Sequence, residues 1–209
     1  MKIILFGSPG SGKGTQAVML SKYFNLKKIS LGDILREEVK KNSELGQEVK
    51  NYMEKGLLVP DEVVLRVVEE NINFERFILD GYPRNLSQAK KLDEILEKNN
   101  NSFDSFIYLD VGQQTIIGRL SKRRICKSCG ANYHLENLRS REEGICDNCG
   151  AELVQRADDD PEVIKKRWEV FSDQSRKILD FYQNKGKLIK VDGNGDKEEI
   201  FERIKYKLQ

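Results

Sequence analysis

Residues 3–15 decide the fold of this chain, and they read IILFGSPGSGKGT. The four apolar residues at the start form a continuous run, which is typical of a strand buried on both faces of a parallel sheet. Glycines at positions 7, 10, 12 and 14 allow positive φ and bring backbone N–H groups close to an oxyanion. A helical stretch follows directly, so its positive end faces the same point, and Lys13 can reach the β and γ oxygens of a nucleotide. The segment therefore predicts a nucleoside triphosphate site, with a glycine-rich structural turn as the weaker alternative.

The hydroxyl in this loop stands one position later than in the G-x-x-x-x-G-K-[ST] pattern. Gly14 follows Lys13, and Thr15 carries the hydroxyl. The sequence therefore leaves the usual magnesium ligand of such loops unassigned.

Alternation of strands and helices indicates the fold class. Short, fully apolar runs predict strands at 3–6, 77–79, 106–109 and 188–191. Amphipathic stretches predict helices at 16–24, 34–41, 61–73, 87–98, 113–122, 161–183 and 197–208. We therefore expect an α/β fold, a doubly wound parallel sheet of about five strands with helices on both faces.

Two segments interrupt this alternation and are interpreted as insertions. Residues 30–59 carry two helical patterns without a strand between them. Residues 122–159 lose the alternation and hold every cysteine. The expected core therefore has three parts, 1–29, 60–121 and 160–209.

Residues 77–84, which read FILDGYPR, form a second candidate phosphate site. They end a buried strand with a carboxylate, and open α/β sheets present ligand groups at the carboxyl ends of their strands. Asp80 could hold magnesium through water molecules, and Arg84 could bind a phosphate. A strand-end turn with a surface ion pair is the alternative, which the neighbouring phosphate loop weakens.

The cysteines form two C-x2-C pairs separated by sixteen residues: Cys126, Cys129, Cys146 and Cys149. This spacing is typical of tetrahedral zinc, and a glycine follows each pair. Four thiolates leave no open coordination position, so the expected zinc is structural rather than catalytic. Disulfides, for which four cysteines allow three pairings, are the alternative.

Composition limits the class of protein. The 209 residues, 38% apolar and 33% charged, suit one globular core with a small inserted module. The net charge of +2 is too small to imply a strongly nucleic-acid-binding surface. The longest apolar run near the N-terminus, 3–6, is far shorter than the roughly 20 residues of a membrane helix, and no cleavable signal pattern follows it. We therefore expect a soluble, cytoplasmic protein whose partners include neither nucleic acid nor membrane.

Six motifs follow one another along the chain: the loop at 7–15, SLGDILR at 30–36, GLLV at 56–59, DGYPR at 80–84, the arginines at 119–124, and RADD at 156–159 through Arg167. Together they resemble the adenylate kinases of the long-lid bacterial type over essentially the whole chain. The resemblance implies reversible transfer of the γ-phosphoryl group of ATP to AMP, giving two ADP with Mg²⁺ present. It also implies a helical nucleotide-monophosphate (NMP)-binding domain at 30–59, a small zinc-ribbon lid at 122–159, and a monomer.

The resemblance also implies roles for individual positions. ATP contacts are expected at Gly10, Ser11, Gly12, Lys13, Gly14, Thr15, Arg119, Arg123, Tyr133 and His134. AMP contacts are expected at Leu31, Arg36, Gly56, Leu57, Leu58, Val59, Gly81, Arg84, Gln88, Arg156 and Arg167. The expected catalytic residues are Lys13, Arg84, Arg123, Arg156 and Arg167, and the expected magnesium positions, through water, are Asp33 and Asp80.

General chemistry makes these roles reasonable. Phosphoryl transfer needs positioning and charge neutralisation more than a base, and a guanidinium binds phosphate oxygens bidentately while it stays protonated. The resemblance further implies that Arg119 stacks on the donor adenine and that Gln88 reads the acceptor adenine. Lid packing is the competing interpretation of Tyr133. Closure of the two insertions is expected to exclude water, which would otherwise compete with AMP for ATP.

Leu31 departs from the family pattern, which usually has threonine at this position. We expect AMP to stay the preferred acceptor but to bind less tightly than to a Leu31→Thr variant. Three other hypotheses remain: a kinase with another acceptor or with GTP as donor, a nucleic-acid-binding ATPase, and a regulatory nucleotide sensor. Acidic residues in the cysteine-rich segment argue against the ATPase, and the intact arginines argue against the sensor.

Overall fold

A computed structural model describes residues 1–72 and 75–209 of the chain. Its strands are β1 (Lys2–Phe6), β2 (Lys27–Ser30), β3 (Phe77–Asp80), β4 (Ser105–Asp110), β5 (Arg123–Cys126), β6 (Asn132–His134), β7 (Leu153–Val154) and β8 (Leu188–Asp192). Its α-helices are α1 (Lys13–Phe24), α2 (Leu31–Lys41), α3 (Glu44–Glu54), α4 (Asp61–Asn71), α5 (Leu86–Lys98), α6 (Gln113–Ser121), α7 (Pro161–Asn184) and α8 (Lys197–Leu208). A short 3-10 helix lies at Ala157–Asp159.

The central sheet is parallel, with the spatial order β2-β3-β1-β4-β8. Successive residues of β1 point to opposite faces, and both faces are covered. Ile3 and Leu5 join one apolar cluster with residues of α1 and α8. Ile4 and Phe6 join a second cluster with residues of α4, α5 and α7. The predicted five-stranded, doubly wound α/β fold is therefore confirmed.

The edge strand β2 was not among the predicted strands. Its sequence, KKIS, lacks a continuous apolar run, because the two lysines are exposed and only Ile29 and Ser30 are buried. Helix α2 begins at Leu31, three residues earlier than predicted, since Ser30 keeps an extended conformation at its N-cap. The helix predicted over 61–73 ends at Asn71, and Asn73 lies outside the described residues.

The first inserted segment is helical, as predicted. Asn42 ends α2 in the left-handed conformation at φ 53°. The Ser43 hydroxyl oxygen then accepts a hydrogen bond of 3.0 Å from the Gly46 N–H, which caps α3. The left-handed Asn42 and the Ser43 cap together connect α2 to α3 directly, without an intervening strand.

The second inserted segment is a small antiparallel sheet with the order β6-β5-β7. We call residues 122–159 the lid. Its buried apolar cluster contains Cys126, Tyr133 and Cys146, with Leu153 packed against them. Across residues 1–72 and 75–209, no helix is both long enough and apolar enough to pass through a membrane.

Candidate active site

The loop between β1 and α1 has the backbone shape that its glycines predict. Gly10 and Gly12 have φ values of 82° and 95°, and a Cβ at Gly10 would lie 2.8 Å from the Leu120 side chain. Lys13 Nζ donates hydrogen bonds of 2.7 Å to the carbonyl oxygens of Gly7 and Ser8. No side-chain hydrogen bond caps the start of α1 at Gly12. The first backbone N–H groups of α1 therefore remain able to bind an anion beside the lysine.

Lys13 lies in a crowded, positively charged environment. Burial lowers its pKa to about 8, and the positive charges of Arg84, Arg167 and Arg123 act in the same direction, while Asp80 opposes them. A bound phosphate would supply the negative charge that this ammonium group lacks. The lowered pKa reflects burial and the neighbouring guanidinium groups, and that concentration of positive charge favours an anion at the loop.

Asp80 is brought to the loop by the register of the sheet. It pairs with Leu5 of β1 on one side and with Ser30 of β2 on the other. Its side chain is buried, and burial raises its pKa, while Lys13 opposes the shift. A Cβ at Gly14 would lie 3.7 Å from Asp80 Oδ2, so this carboxylate lies against the first turn of α1.

Asp33 lies nearby in the first turn of α2. It accepts hydrogen bonds of 2.6 Å from Arg36 Nη2 and 3.2 Å from Lys28 Nζ. Burial acts to raise the pKa of Asp33, but these two cations outweigh it and lower the pKa to about 2. Asp33 and Asp80 line the same cavity, and carboxylate oxygens are ligands that Mg²⁺ accepts directly or through water. The donor set therefore fits magnesium.

Two cavities meet beside the phosphate loop. The first, of about 280 Å³, lies between the loop, the lid and the start of α8. The second, of about 130 Å³, lies between the loop, α2 and the Gly56–Val59 backbone. The cationic residues that line both cavities are Lys13, Arg36, Arg84 and Arg167. Their shared position marks the junction at which a group bound in one cavity can meet a group bound in the other.

The arginines come from six different elements or turns. Arg36 belongs to α2, Arg84 follows β3, Arg119 belongs to α6, Arg123 begins β5, Arg156 precedes the 3-10 helix, and Arg167 belongs to α7. All six line the first cavity. The structure therefore brings together residues up to 131 positions apart in the sequence, as the family resemblance predicts.

Two aspartates hold two of these cations, Arg123 and Arg167, in place. Arg123 donates to both carboxylate oxygens of Asp159, at 2.7 Å from Nε and 2.5 Å from Nη2. Arg167 Nη1 lies 3.4 Å from Asp159 and 3.0 Å from Asp158. Asp159 is fully buried. Sequence reasoning did not single out these carboxylates as site residues, although clustered arginines require buried counter-charge.

Arg156 retains unused hydrogen-bonding capacity. Its Nη2 donates to Asn132 Oδ1 at 2.6 Å, while its Nε is buried without a partner among the described residues. Burial, followed by repulsion from Arg123 and Arg36, lowers its pKa to about 9. The guanidinium remains charged at neutral pH, so the site as a whole favours a strongly anionic ligand.

The outer part of the first cavity is built from the lid and from the turn after β8. Arg119 Nη2 donates to the Gly193 carbonyl at 3.0 Å, and Arg119 Nη1 approaches the Ser11 carbonyl at 3.4 Å. Tyr133 and His134 line this part from β6. Other lining residues that sequence reasoning missed are Asn137, Leu138, Asp196, Lys197 and Ile200. The carboxyl end of β8 was the available signal for the last three, because parallel sheets place ligand groups there.

Most of the predicted donor-loop positions also face the first cavity. Gly10, Gly12, Gly14 and Thr15 line it. Ser11 is instead fully buried, and its backbone N–H donates to the Ser8 carbonyl at 3.1 Å. Ser11 therefore shapes the loop from within.

The second cavity has an apolar inner wall. Gly56, Leu57, Leu58 and Val59 line it as predicted, and Phe171 of α7 closes it. Phe171 also packs against Phe6, with ring centroids 5.4 Å apart. Such a wall suits a flat apolar group such as a nucleobase.

Leu31 and Gln88 have different surroundings from the other predicted acceptor residues. Leu31 is 1% exposed and packs in the larger apolar cluster of the sheet. Gln88 is also 1% exposed; its Oε1 accepts from the Arg84 N–H at 2.7 Å, and its Nε2 donates to Asp61 Oδ1 at 2.7 Å. In this structure Gln88 therefore braces the backbone that carries Arg84.

The four cysteines converge at the tip of the lid. Their sulfur atoms lie within 4.8 Å of one another, with Cys126 and Cys149 3.4 Å apart and Cys129 and Cys146 3.6 Å apart. A disulfide requires about 2.05 Å, and all four cysteines are free in this structure, so it does not contain the disulfide alternative. Tetrahedral zinc with Zn–S distances of about 2.3 Å requires sulfurs roughly 3.8 Å apart, which these positions approach. The donor set therefore fits zinc.

Comparison with known proteins agrees with this geometry. The family model described as adenylate kinase matches residues 5–187 of the chain. The chain is 45% identical over 212 residues to the adenylate kinase of Caldanaerobacter subterraneus subsp. tengcongensis, with 100% of this chain and 96% of the relative covered. It is 46% identical over 213 residues to the adenylate kinase of Caldicellulosiruptor bescii, with 100% and 98% covered. The chain belongs to the adenylate kinase family.

A further relative is similar over almost the whole chain. The chain is 46% identical over 209 residues to the adenylate kinase of Methanocella arvoryzae, with 98% of this chain and 97% of the relative covered. Similarity across the whole chain includes the cysteine-rich lid as well as the sheet. The family resemblance drawn from the six motifs is therefore confirmed.

Proposed function

We propose that this chain transfers the γ-phosphoryl group of ATP reversibly to AMP, giving two ADP, with Mg²⁺ bound to the nucleotide. The observation that carries the proposal is the junction of the two cavities, where Lys13, Arg36, Arg84 and Arg167 face both. An enzyme that hydrolyses one nucleotide needs one such cavity. An enzyme that transfers a phosphoryl group between two nucleotides needs two cavities that meet where the phosphates bind. Membership of the adenylate kinase family supports the same reaction.

ATP occupies the first cavity in this proposal. The loop N–H groups and Lys13 bind its β and γ phosphates, and Arg119 stacks on its adenine. Arg123 and Arg156 approach the transferring group from the lid. Their contacts with Asp159 and Asn132 hold both guanidinium groups at the cavity wall before the nucleotide arrives.

AMP occupies the second cavity. Its phosphate binds Arg36, Arg84 and Arg167 at the junction, and its base lies against the backbone of Gly56–Val59. Gly81 lines both cavities, so the backbone approaches the acceptor phosphate there. Gln88 contributes by fixing the Arg84 backbone, and it reads the base only after its present hydrogen bonds have been exchanged.

The transfer step depends on position and charge. The bond between the γ phosphorus and the bridging oxygen of ATP breaks while the AMP phosphate oxygen attacks in line. Asp33 and Asp80 would hold magnesium through water, and the ion would supply neutralisation of the nucleotide's phosphate charge. The arginines stabilise the charge spread over the transferring group, and no side chain is required as a general base.

The lid is proposed to be a structural zinc module. Cys126, Cys129, Cys146 and Cys149 would supply four thiolates, and such a site folds a segment that has little apolar core of its own. We propose domain boundaries of 30–59 for the NMP-binding domain, 122–159 for the lid, and 1–29, 60–121 and 160–209 for the core. Closure of both insertions excludes water. A monomer acting in the cytoplasm completes the proposal, and sedimentation tests the oligomeric state.

An assay with parallel acceptors tests the reaction. ATP and Mg²⁺ are mixed with AMP, UMP, CMP or GMP, and lanes with ATP alone and with GTP as donor serve as controls. We expect rapid ADP formation with AMP and ATP together, and little in the lane without an acceptor. Preference for another monophosphate would overturn the acceptor assignment, and ATP hydrolysis indifferent to every monophosphate would overturn the kinase assignment.

Leu31→Thr tests the one departure from the family pattern. The proposal keeps AMP as the preferred acceptor and expects the threonine variant to have a lower KM for AMP. Leu31 is 1% exposed, so the variant also loses apolar burial, which costs about 1–3 kcal/mol of folding stability. AMP titrations are therefore made well below the melting temperature of both proteins. An unchanged or higher KM in the variant contradicts the expectation.

A further inference from the structure

Tyr133 lies between the cysteine cluster and the first cavity. Its side chain packs with Cys126 and Cys146 in the apolar cluster of the lid and is 8% exposed. Tyr133 also lines the first cavity as part of β6. Tyr133 therefore lines the proposed ATP cavity and also packs against the cysteines. The sequence had left ATP contact and lid packing as alternative interpretations of this residue.

The hydroxyl of Tyr133 has a defined hydrogen-bond direction. The Asp147 N–H donates to the Tyr133 oxygen at 2.8 Å. The Tyr133 oxygen lies 3.4 Å from Cys146 Sγ. Because the oxygen already accepts from a backbone donor, its own proton is available for the sulfur, and a zinc-bound thiolate is an acceptor.

The neighbours of Tyr133 in β6 contact the cavity on both sides. Asn132 Oδ1 accepts the 2.6 Å hydrogen bond from Arg156. His134 lines the cavity and pairs with Arg123 across β5 and β6. Fixing Tyr133 therefore fixes the strand that carries the Arg156 partner and faces the Arg123 backbone.

We infer that Tyr133 is a positioning residue whose hydroxyl donates a hydrogen bond to the Cys146 thiolate, and so couples the metal site to the donor-nucleotide strand β6. The inference rests on the proposed structural zinc. It assigns to Tyr133 a role outside direct nucleotide binding. The hydrogen bond orients a metal ligand on one side and holds Asn132 and His134 against the cavity on the other.

Tyr133→Phe tests the inference, because it removes the hydroxyl and keeps the ring. We expect zinc affinity, measured by competition with a chromophoric chelator, to fall about 10- to 100-fold. With Co²⁺ in place of zinc, we expect the thiolate-to-cobalt charge-transfer band to move to lower energy, since the thiolate loses a hydrogen-bond donor. At saturating zinc, KM for ATP should rise while KM for AMP stays unchanged.

Two control variants separate the hydrogen bond from other effects. Tyr206→Phe removes a hydroxyl from a tyrosine that is 80% exposed on α8 and should match the wild type in every measurement. Leu153→Ala removes packing from the same lid cluster and should weaken the lid without moving the cobalt band. If Tyr133→Phe binds no metal but Leu153→Ala binds zinc normally, the loss of metal binding is assigned to the missing hydroxyl. If neither variant binds metal, the loss is assigned to packing, and the inference is overturned.

The outcomes also distinguish this inference from the zinc proposal. Stoichiometric zinc in the wild type, with equal zinc affinity and an equal cobalt band in Tyr133→Phe, overturns the role of Tyr133 and leaves the zinc proposal intact. Wild-type protein without stoichiometric binding of zinc or cobalt overturns the zinc proposal, and the inference with it. A loss of affinity accompanied by the band shift supports both.

Discussion

The central sheet and the lid both carry site residues, but different interactions stabilise them. In the sheet, Ile3, Ile4, Phe77 and Phe106 are fully buried, and helices cover both faces. In the lid, as far as the structure describes it, the buried apolar cluster is Cys126, Tyr133 and Cys146. Burial of apolar surface can hold the sheet, whereas the lid, with so small a core, would depend on the proposed zinc bound by its four cysteines.

This difference divides the active site into two parts. Lys13 begins α1, which follows β1, and Asp80 ends β3, so both are held by the sheet and its covering helices. Arg123, Asn132 and His134 stand on the lid strands β5 and β6, which pack beside the cysteine cluster and would be held by the proposed zinc. A substitution of a site residue held by the sheet should therefore abolish phosphoryl transfer, whereas a change in the lid should act through the ATP side of the site.

Lys13→Met is expected to have the largest effect. The variant removes the cation at the junction of the two cavities, so kcat should fall by about 10³-fold. Lys22→Met, on the exposed last turn of the same helix, is the matched control. Steady-state kinetics with circular dichroism of both variants makes the test. A fall of less than tenfold in a folded Lys13→Met protein would contradict the assignment.

Metal removal is expected to have the next largest effect. Chelation should unfold the lid, so kcat should fall at least tenfold, because Arg123 and Arg156 lose their support. Calorimetry should show that the main melting transition of the sheet changes little. Re-addition of zinc should restore activity. A main transition that collapses on chelation would show that the sheet also depends on the metal, contrary to expectation.

Much of the sheet was predictable from the sequence because its strands are uninterrupted apolar runs. The segments at 3–6 and 106–109 have this pattern and fall within β1 and β4. Strand β2 was missed because an edge strand needs fewer apolar residues, and Lys27 and Lys28 are exposed. The lid strands have too few residues for periodicity to reveal them.

The site was predictable where its chemistry is local in sequence. The phosphate loop and the C-x2-C pairs each form one short motif, and the structure gives them the expected shapes. Asp159 was missed because its role depends on Arg123, which lies 36 positions away. The contact between the Tyr133 hydroxyl and Cys146 Sγ, 13 positions apart, was missed for the same reason. Pairings across distant segments exist only after folding and leave no local pattern.

The pH dependence of ATP binding and turnover should report the ionisation of Lys13, which the sheet positions. Because the pKa of Lys13 is about 8, kcat/KM for ATP should fall about tenfold per pH unit above that value as the lysine loses its proton. A pH–rate profile of wild type and Lys13→Arg makes the test, since arginine keeps its charge throughout. The same fall in both proteins would assign the titration to another group.

Folding stability should respond to the same lysine in the opposite direction. In the unfolded chain Lys13 keeps its proton up to its ordinary pKa of 10.5, whereas the folded protein releases it near 8. Between these values the unfolded state binds more protons, so this group makes the folded state more stable as pH rises. Denaturant titrations across this window, on wild type and Lys13→Met, isolate its contribution.

Lys40→Met is expected to have the smallest effect, and it tests whether the lid and the NMP-binding domain act on each other directly. Lys40 Nζ, at the end of α2, donates 2.8 Å to the Ser128 carbonyl, which lies between Cys126 and Cys129. The contact is exposed, so its loss should raise KM for AMP only about twofold. Labels placed in α2 and in the lid should also report a longer distance in the variant when both nucleotides are bound.

Lys41→Met is the matched control, because Lys41 pairs within its own helix. Equal effects of the two variants would show that general surface charge matters and that the two insertions move independently.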